Sequence, residues 1–300
     1  MDKQHAGVIG ATSFVGECLV TILLQNGWRV TAFSRHKSAV TANRSPLQSS
    51  LITWRRIDDP SERENRFATV DETITVWFYL APIWTLPERF DFLVKRGIRR
   101  IIVLSSTSIF TKVDSTDAGE REVVHRLTEG ETALRLWAKN NGVIWTILRP
   151  TLIYGQGRDR NIMEIVRVIQ RFGFFPLIGK ACGLRQPVYV EDVAKACLAA
   201  FLSGETGDRA YNITGGETLT YREMVIRIFS ALGRTPRLLQ VPGWIIRLSV
   251  TMVRMLPRYR HWTVGMVERM NRNLVFDSSA AMCDFEYTPR PFKLNKSDLF

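Results

Sequence analysis

The chain lacks the residue groupings that mark several protein classes. Its four cysteines, Cys18, Cys182, Cys197 and Cys283, stand far apart and match neither zinc-site spacing nor a disulfide framework. The four histidines, His5, His36, His125 and His261, are equally scattered, so no metal site is expected. Thiols used this sparingly fit a reducing, cytoplasmic setting. No stretch approaches ~20 uncharged apolar residues, which argues against a membrane-spanning helix. There is no internal repeat and no helix-turn-helix, zinc-finger or RNA-binding signature, so nucleic acid is not an expected partner.

What is present suits a globular protein of 300 residues, 45% of them hydrophobic. That length accommodates one large domain, or one domain with a smaller cap. The net charge is +12, and much of it is local: eight arginines lie between Ala231 and Asn273, against the single acid Glu268. Such a balance suits a phosphorylated ligand or an anionic surface. Within this region Trp244 to Leu256 is apolar on most sides, with Arg247 and Arg254 seven apart on one face and Pro257 ending the run. Two readings stand. The run is a lid helix packed on the core, or the stretch 244–272 makes peripheral contact with an anionic membrane or a partner.

The most informative stretch is Gly7-Val8-Ile9-Gly10-Ala11-Thr12-Ser13-Phe14-Val15-Gly16. Ala6 to Ile9 reads as a short strand, Gly10 to Gly16 as a tight turn, and Glu17 to Asn26 as a helix. A strand that passes through a glycine turn into a helix makes an anion site, because the first helical N–H groups have no internal partner and the helix dipole adds positive potential. Gly10 allows the sharp turn and Gly16 allows close helix packing, whereas Ser13 replaces the usual middle glycine. The motif starts at residue 7, which leaves no room for a cleaved leader. A second strand, Trp28 to Phe33, ends in Ser34-Arg35-His36-Lys37. An NAD site would place an acid there for the ribose hydroxyls. A guanidinium instead suits a 2′-phosphate, so NADP(H) is expected over NAD(H).

Strand and helix patterns then alternate. Strands are expected at Ile52–Trp54, which ends near Asp58-Asp59, and at Thr73–Leu80, Ile101–Leu104 and Ile144–Leu148. Helices are expected at Leu86–Gly97 and Glu129–Asn141. Beyond Pro150 come a loop at Tyr154–Arg158, a helix at Ile162–Phe172, a strand at Pro187–Val190, a helix at Glu191–Leu202 and a last strand at Tyr211–Ile213. Apolar strands alternating with helices predict an α/β fold with a doubly wound parallel sheet, whose ligands sit at the carboxyl ends of the strands.

These residues resemble the extended and atypical branch of the short-chain dehydrogenase/reductase superfamily, the NAD-dependent epimerase/dehydratase group. The resemblance rests on Gly10 to Gly16, Leu80-Ala81-Pro82, Ser105-Ser106, Leu148-Arg149-Pro150 with Tyr154-Gly155, Arg185 to Ala194, and Tyr211 to Gly216. Asn273 to Asp277 and Tyr287-Thr288-Pro289 resemble the group's C-terminal end. It implies a Rossmann-type domain over 1–153, with 186–214 returning to it, and a smaller, mostly helical C-terminal lid from 154–185 and 215–300. It implies that the cofactor meets Gly10, Thr12, Ser13, Phe14, Val15, Gly16, Ser34, Arg35, Asp58, Leu80, Ala81, Pro82, Ser105 and Pro150. Ser106 matches the catalytic Ser or Thr position, with the aromatic Phe110 four residues on. Arg185 resembles the arginine that grips the substrate diphosphate in sugar-nucleotide epimerases, which makes a nucleotide diphosphate sugar a candidate substrate. An ion pair with Glu191 or Asp192 is the other reading of Arg185.

Two departures stand out. The Tyr-x-x-x-Lys pair of these enzymes would fall at Val123 and Leu127, and no tyrosine in the chain has a lysine four residues later. His125 lies ~200° around the helix from Val123 and is expected at the surface. Tyr154 is the spare phenol nearest the expected nicotinamide. An Asn carried by many epimerases two residues after the Arg-Pro pair is replaced by Leu152. Two functions therefore remain open. One is an NADP(H)-dependent oxidoreductase or epimerase acting on a nucleotide sugar or another carbonyl or hydroxyl compound. The other is a non-catalytic NADP(H)-binding structural or sensor protein, of which the reductase-like accessory subunit of respiratory complex I is an example.

Overall fold

Seven parallel strands form the central sheet of the computed structural model, which describes residues 4–35, 50–58, 73–111, 115, 117–241 and 269–299. The strands are β1 (His5–Ile9), β2 (Arg29–Ser34), β3 (Ile52–Arg56), β4 (Val76–Tyr79), β5 (Arg100–Leu104), β6 (Ile144–Pro150) and β11 (Arg209–Ile213). Their order is β11-β6-β5-β4-β1-β2-β3. The chain leaves β1 toward β2 and β3, then crosses back to place β4 on the other side of β1. The switch point therefore lies between β1 and β4, beyond their carboxyl ends.

Helices in chain order are α1 (Phe14–Gln25), α2 (Phe90–Lys95), α3 (Ser108–Thr111), α4 (Ala118–Asn141), α5 (Asn161–Phe172), α6 (Val190–Leu202), α7 (Tyr221–Ala231) and α8 (Ser279–Phe285). Both faces of the sheet are covered. Ala6, Val8 and Phe78 pack with Leu19, Leu23, Val193 and Cys197 of α1 and α6. Ile9, Trp77 and Tyr79 point the other way, toward Leu93 of α2 and Leu127 and Leu134 of α4. Successive residues of β4 thus feed opposite cores, which is why the strands read as continuous apolar runs rather than alternating ones.

Three expectations shift. The helix expected from Glu129 begins eleven residues earlier, where Asp117 caps it by accepting from the Glu120 N–H at 3.1 Å. The helix expected at Leu86–Gly97 is a 3-10 turn, Pro87–Arg89, followed by α2, with another 3-10 turn, Ile83–Thr85, just ahead of it; Pro87 cannot donate a helical hydrogen bond. The strand expected at Thr73–Leu80 pairs only over Val76–Tyr79.

After β6 the chain builds a smaller region with its own core, where Ile165 and Ile169 of α5 meet Met224, Ile228 and Phe229 of α7. Three short strand pairs accompany these helices: β7 (Ile153–Tyr154) with β10 (Val188–Tyr189), β9 (Leu184–Arg185) with β12 (Leu219–Thr220), and β8 (Phe175–Ile178) with β13 (Leu238–Val241). Most of the basic stretch 244–272, including Trp244 to Leu256, lies outside the described residues, as do His36, Lys37 and Asp59. Among the described residues no helix is long and apolar enough to cross a membrane.

Trp77 is fully buried, donates its indole N–H to the Ile74 carbonyl at 2.7 Å, and packs on Phe33 and Phe92. Trp77→Ala is expected to lower the unfolding free energy by about 3–5 kcal/mol, read from the urea midpoint, through loss of area and the cavity left behind.

Candidate functional site

The glycine turn closes tightly. The Ser13 N–H donates to the Gly10 carbonyl at 2.8 Å, and Gly10 has φ +83°. A Cβ on Gly10 would lie 2.7 Å from the Ala81 nitrogen, and one on Gly16 would run into the Gly10 carbonyl oxygen. Ser13 caps α1 by accepting from the Gly16 N–H at 3.1 Å. The Leu80 N–H donates to the Ile9 carbonyl at 2.8 Å, which draws Leu80, Ala81 and Pro82 to the same spot. The first-turn amides of Phe14 and Val15 have no acceptor within the helix, and no side chain at 10 or 16 blocks their approach. This cradle fits the diphosphate of a dinucleotide.

At the end of β2 the Ser34 hydroxyl lies 3.3 Å from the Thr12 hydroxyl, which ties the second strand to the turn. Arg35 follows it, exposed. Asp58 is held by Arg89, whose Nη2 donates to Oδ1 at 2.7 Å.

The residues after β5 divide their work. Ser105 turns its hydroxyl inward and donates to Glu131 Oε1 at 2.7 Å. Glu131 is 1% exposed and is also gripped by Arg149 through two nitrogens, and by Arg135 at 2.9 Å. Burial alone would raise the Glu131 carboxyl. The bonds from Arg149 and Ser105 and the charges of Arg149 and Arg135 overcome it and hold the group below the ordinary glutamate range. This buried cluster locks the end of β5 to α4 and β6. Ser106, next in sequence, accepts from the Ser108 N–H at 3.1 Å and faces a cavity of about 550 Å³. Pro150 ends β6 beneath it and accepts from the Thr107 hydroxyl at 3.1 Å.

The cavity runs from the carboxyl ends of the sheet into the smaller region. Phe14, Ser106 and Thr151 line its sheet side; Arg158 to Asn161, Ile165 and Val168 line it from the start of α5. Arg185 also lines it and is 5% exposed. Its Nη1 donates to the carbonyls of Leu184 and Arg272, both at 2.7 Å. The ion pair considered for Arg185 is made by another residue: Asp192 and Glu191 are both bound by Arg290, at 2.8 and 3.1 Å.

Tyr154, expected near the nicotinamide, is fully buried in the core of the smaller region. Its ring packs on Tyr189 and Phe292, and its hydroxyl accepts from the Lys293 N–H at 3.2 Å. Burial pushes the phenol up to about 12. Val123 and Leu127 of α4 turn into the core, while His125 is exposed and pairs with Glu129 at 3.0 Å.

Asp159 is the cavity residue that the sequence reading missed. It is 7% exposed, and its Oδ1 accepts from the Ile162 N–H at 2.6 Å, capping α5. Its Oδ2 is buried with no hydrogen-bond partner among the described residues. Burial raises the carboxyl above the ordinary aspartate range against backbone N–H bonds, led by Ile162, that lower it. The only sequence signal was an Asp placed three residues before an apolar helical run. No group of three or more His, Cys, Asp or Glu that could hold a metal occurs among the described residues.

A helix N-terminus opened by a glycine turn at the switch point of a parallel sheet defines a dinucleotide-binding Rossmann protein. The chain belongs to the NAD(P)H-binding family, whose model matches residues 10–173. It is 26% identical over 254 residues to 2-alkyl-3-oxoalkanoate reductase of Stenotrophomonas maltophilia, covering 75% of each chain. It is 33% identical over 98 residues to the mitochondrial NADH dehydrogenase [ubiquinone] 1 alpha subcomplex subunit 9 of Arabidopsis thaliana, covering 32% of this chain and 24% of that one. The chain spans about a quarter to a half of the length of the first curated relatives it matches. Its fold is that of UDP-glucose 4-epimerase from Thermotoga maritima, solved with UDP-glucose, at TM-score 0.67 and 18% identity, covering 95% of this chain and 94% of that one.

Glu131 is expected to hold acid stability. A carboxyl kept below its unfolded pKa of about 4.3 adds stability above that pH and loses it as pH falls through the folded value. Glu131→Gln should cost about 3–5 kcal/mol at pH 7, because Arg149 and Arg135 lose their partner. Urea titrations should show the gap to the wild type narrowing as the pH is lowered from 5 toward 3.

Proposed function

We propose that this chain is an NADP(H)-dependent oxidoreductase or epimerase acting on a small carbonyl or hydroxyl compound. One observation carries the reading: the helix end that would take the dinucleotide diphosphate opens, through Phe14, into the same cavity that Ser106 faces. Residues 1–153 with 186–214 hold the cofactor, and 154–185 with 215–300 hold the substrate. Gly10, Thr12, Ser13, Phe14, Val15 and Gly16 receive the diphosphate, and Leu80, Ala81 and Pro82 form the wall across the switch point. Arg35 meets the 2′-phosphate beside Ser34. Ser105 and Pro150 shape the floor near the ring.

When bound, a reduced nicotinamide supplies hydride to a carbonyl carbon whose oxygen gains a proton, giving an alcohol and oxidised nicotinamide. The chain's part is to orient. Ser106 donates to the substrate oxygen and turns its carbon toward the cofactor, and Arg185 contributes positive potential at the far wall. With apolar residues at Val123 and Leu127, the proton comes from water in the cavity or from the substrate. Missing a positioned acid costs ~10²–10⁴ in rate, so turnover is expected to be slow.

Mass spectrometry of the purified protein's bound nucleotide, followed by NADPH oxidation and product stereochemistry with carbonyl and nucleotide-sugar probes, tests this reading. Bound NADPH that turns over with none of them would leave a binding protein. Arg35→Ala should weaken NADPH by ~10–100-fold in calorimetry and NADH by much less, the worth of one charged hydrogen bond. Equal losses would remove the cofactor preference. Ser106→Ala should lower kcat by at least ~10-fold with little change in NADPH affinity.

A further inference from the structure

Much of the cavity wall beyond Ser106 is hydrocarbon, beside polar residues such as Asn161 and Gln186. Leu152, Ile165, Val168, Phe175, Ile178 and Phe276 face it from four separate segments, joined by Met224 of α7. A nucleoside diphosphate sugar would need the opposite lining: hydrogen-bond partners for the sugar hydroxyls and unspent cations for two phosphates. Of the three arginines among the described residues that line the cavity, Arg160 is exposed and the other two are engaged within the protein. Arg158 is paired with Glu17 at 2.5 Å. Arg185 is bonded to two backbone carbonyls. The N-terminus of α5, which opens on this cavity wall, is already capped by the Asp159 carboxylate. Glu164 lines the cavity as well and adds a second acid. Bringing a diphosphate here would set two negative charges against Asp159 and Glu164 and break existing bonds.

Resting on the oxidoreductase reading above, we propose that the substrate is an uncharged carbonyl or secondary-alcohol compound with a hydrocarbon body, and not a nucleoside diphosphate sugar. Its oxygen lies at Ser106, where hydride exchange converts ketone and alcohol, with the nicotinamide as the redox partner and one proton taken up on reduction. Its alkyl or ring portion extends between α5 and α7 toward Phe175 and Met224. Leu152, where many epimerases carry an Asn, forms part of that apolar wall. Asp159 Oδ2, buried and without a hydrogen-bond partner among the described residues, is the polar atom against which a substrate hydroxyl further along the body would be placed.

Isothermal titration of the purified 300-residue chain, with and without NADPH, tests the proposal using 2-butanone, 2-hexanone and 2-octanone against UDP-glucose and UDP. Affinity should rise along the ketone series by about 4-fold per methylene, the worth of one buried CH₂. UDP-glucose and UDP should not bind below about 1 mM. Leu152→Asn should flatten the series, with circular dichroism reporting that the variant is folded. NADPH oxidation should follow the same order of ketones. A flat ketone series together with tight UDP-glucose binding would overturn the proposal and leave the cofactor reading standing. Failure to bind NADPH in the same calorimeter would instead remove the oxidoreductase reading itself.

Discussion

The structure turns on a contact between two pieces of backbone. The start of α1 lies so close to the turn after β1 that neither Gly10 nor Gly16 has space for a Cβ. That closeness brings the start of the helix to the carboxyl edge of the sheet, where the amides of Phe14 and Val15 have no acceptor within the helix. Everything that could meet a cofactor is brought to this edge by hydrogen bonds from neighbouring strands: Thr12 touches Ser34 at the end of β2, and Leu80 is tied to Ile9 across the switch point. A side chain at either glycine would push the helix away and scatter these groups together.

A second constraint sits one strand over. Glu131 is buried among Arg149, Arg135 and Ser105, and the cluster joins α4, β6 and the end of β5. A buried charge is tolerated only when it is fully paired, and here the pairing spends the hydroxyl of Ser105. Its neighbour Ser106 is thereby the one that looks into the cavity. The division of labour between two adjacent serines thus follows from where the carboxylate lies. Asp192 and Arg290 act in the same way, tying α6 to the C-terminal segment and leaving Arg185 to bind carbonyls at the cavity wall.

Much of the sheet was legible because its strands are short, apolar and bounded by turn residues. β1, β2, β5 and β6 fall where their apolar runs lie, and Arg209–Ile213 returns as the edge strand beside β6. The long helix α4 was not fully legible. Its first three turns are rich in charge, and Gly130 sits where the helix crosses close over Ile83, so that a Cβ there would come within 3.0 Å of backbone. Asp159 was missed because its importance is a matter of burial, which one-dimensional spacing does not carry. Tyr154 was placed near the nicotinamide by its position after β6, but the loop turns its ring into the core made by Phe292 and Tyr189.

The sequence by itself determined the alternation of strand and helix, the glycine turn and the cationic end of the second strand, because each is a local pattern of residue size, polarity and backbone freedom. It also determined that no Tyr-x-x-x-Lys pair exists anywhere in the chain. Only the tertiary structure decided which charges are already spent, which of two serines faces the cavity and how apolar that cavity is. Those properties depend on segments far apart in the chain meeting in space, as Phe14, Ser106, Met224 and Phe276 do. Pairing and desolvation exist only once that meeting has taken place.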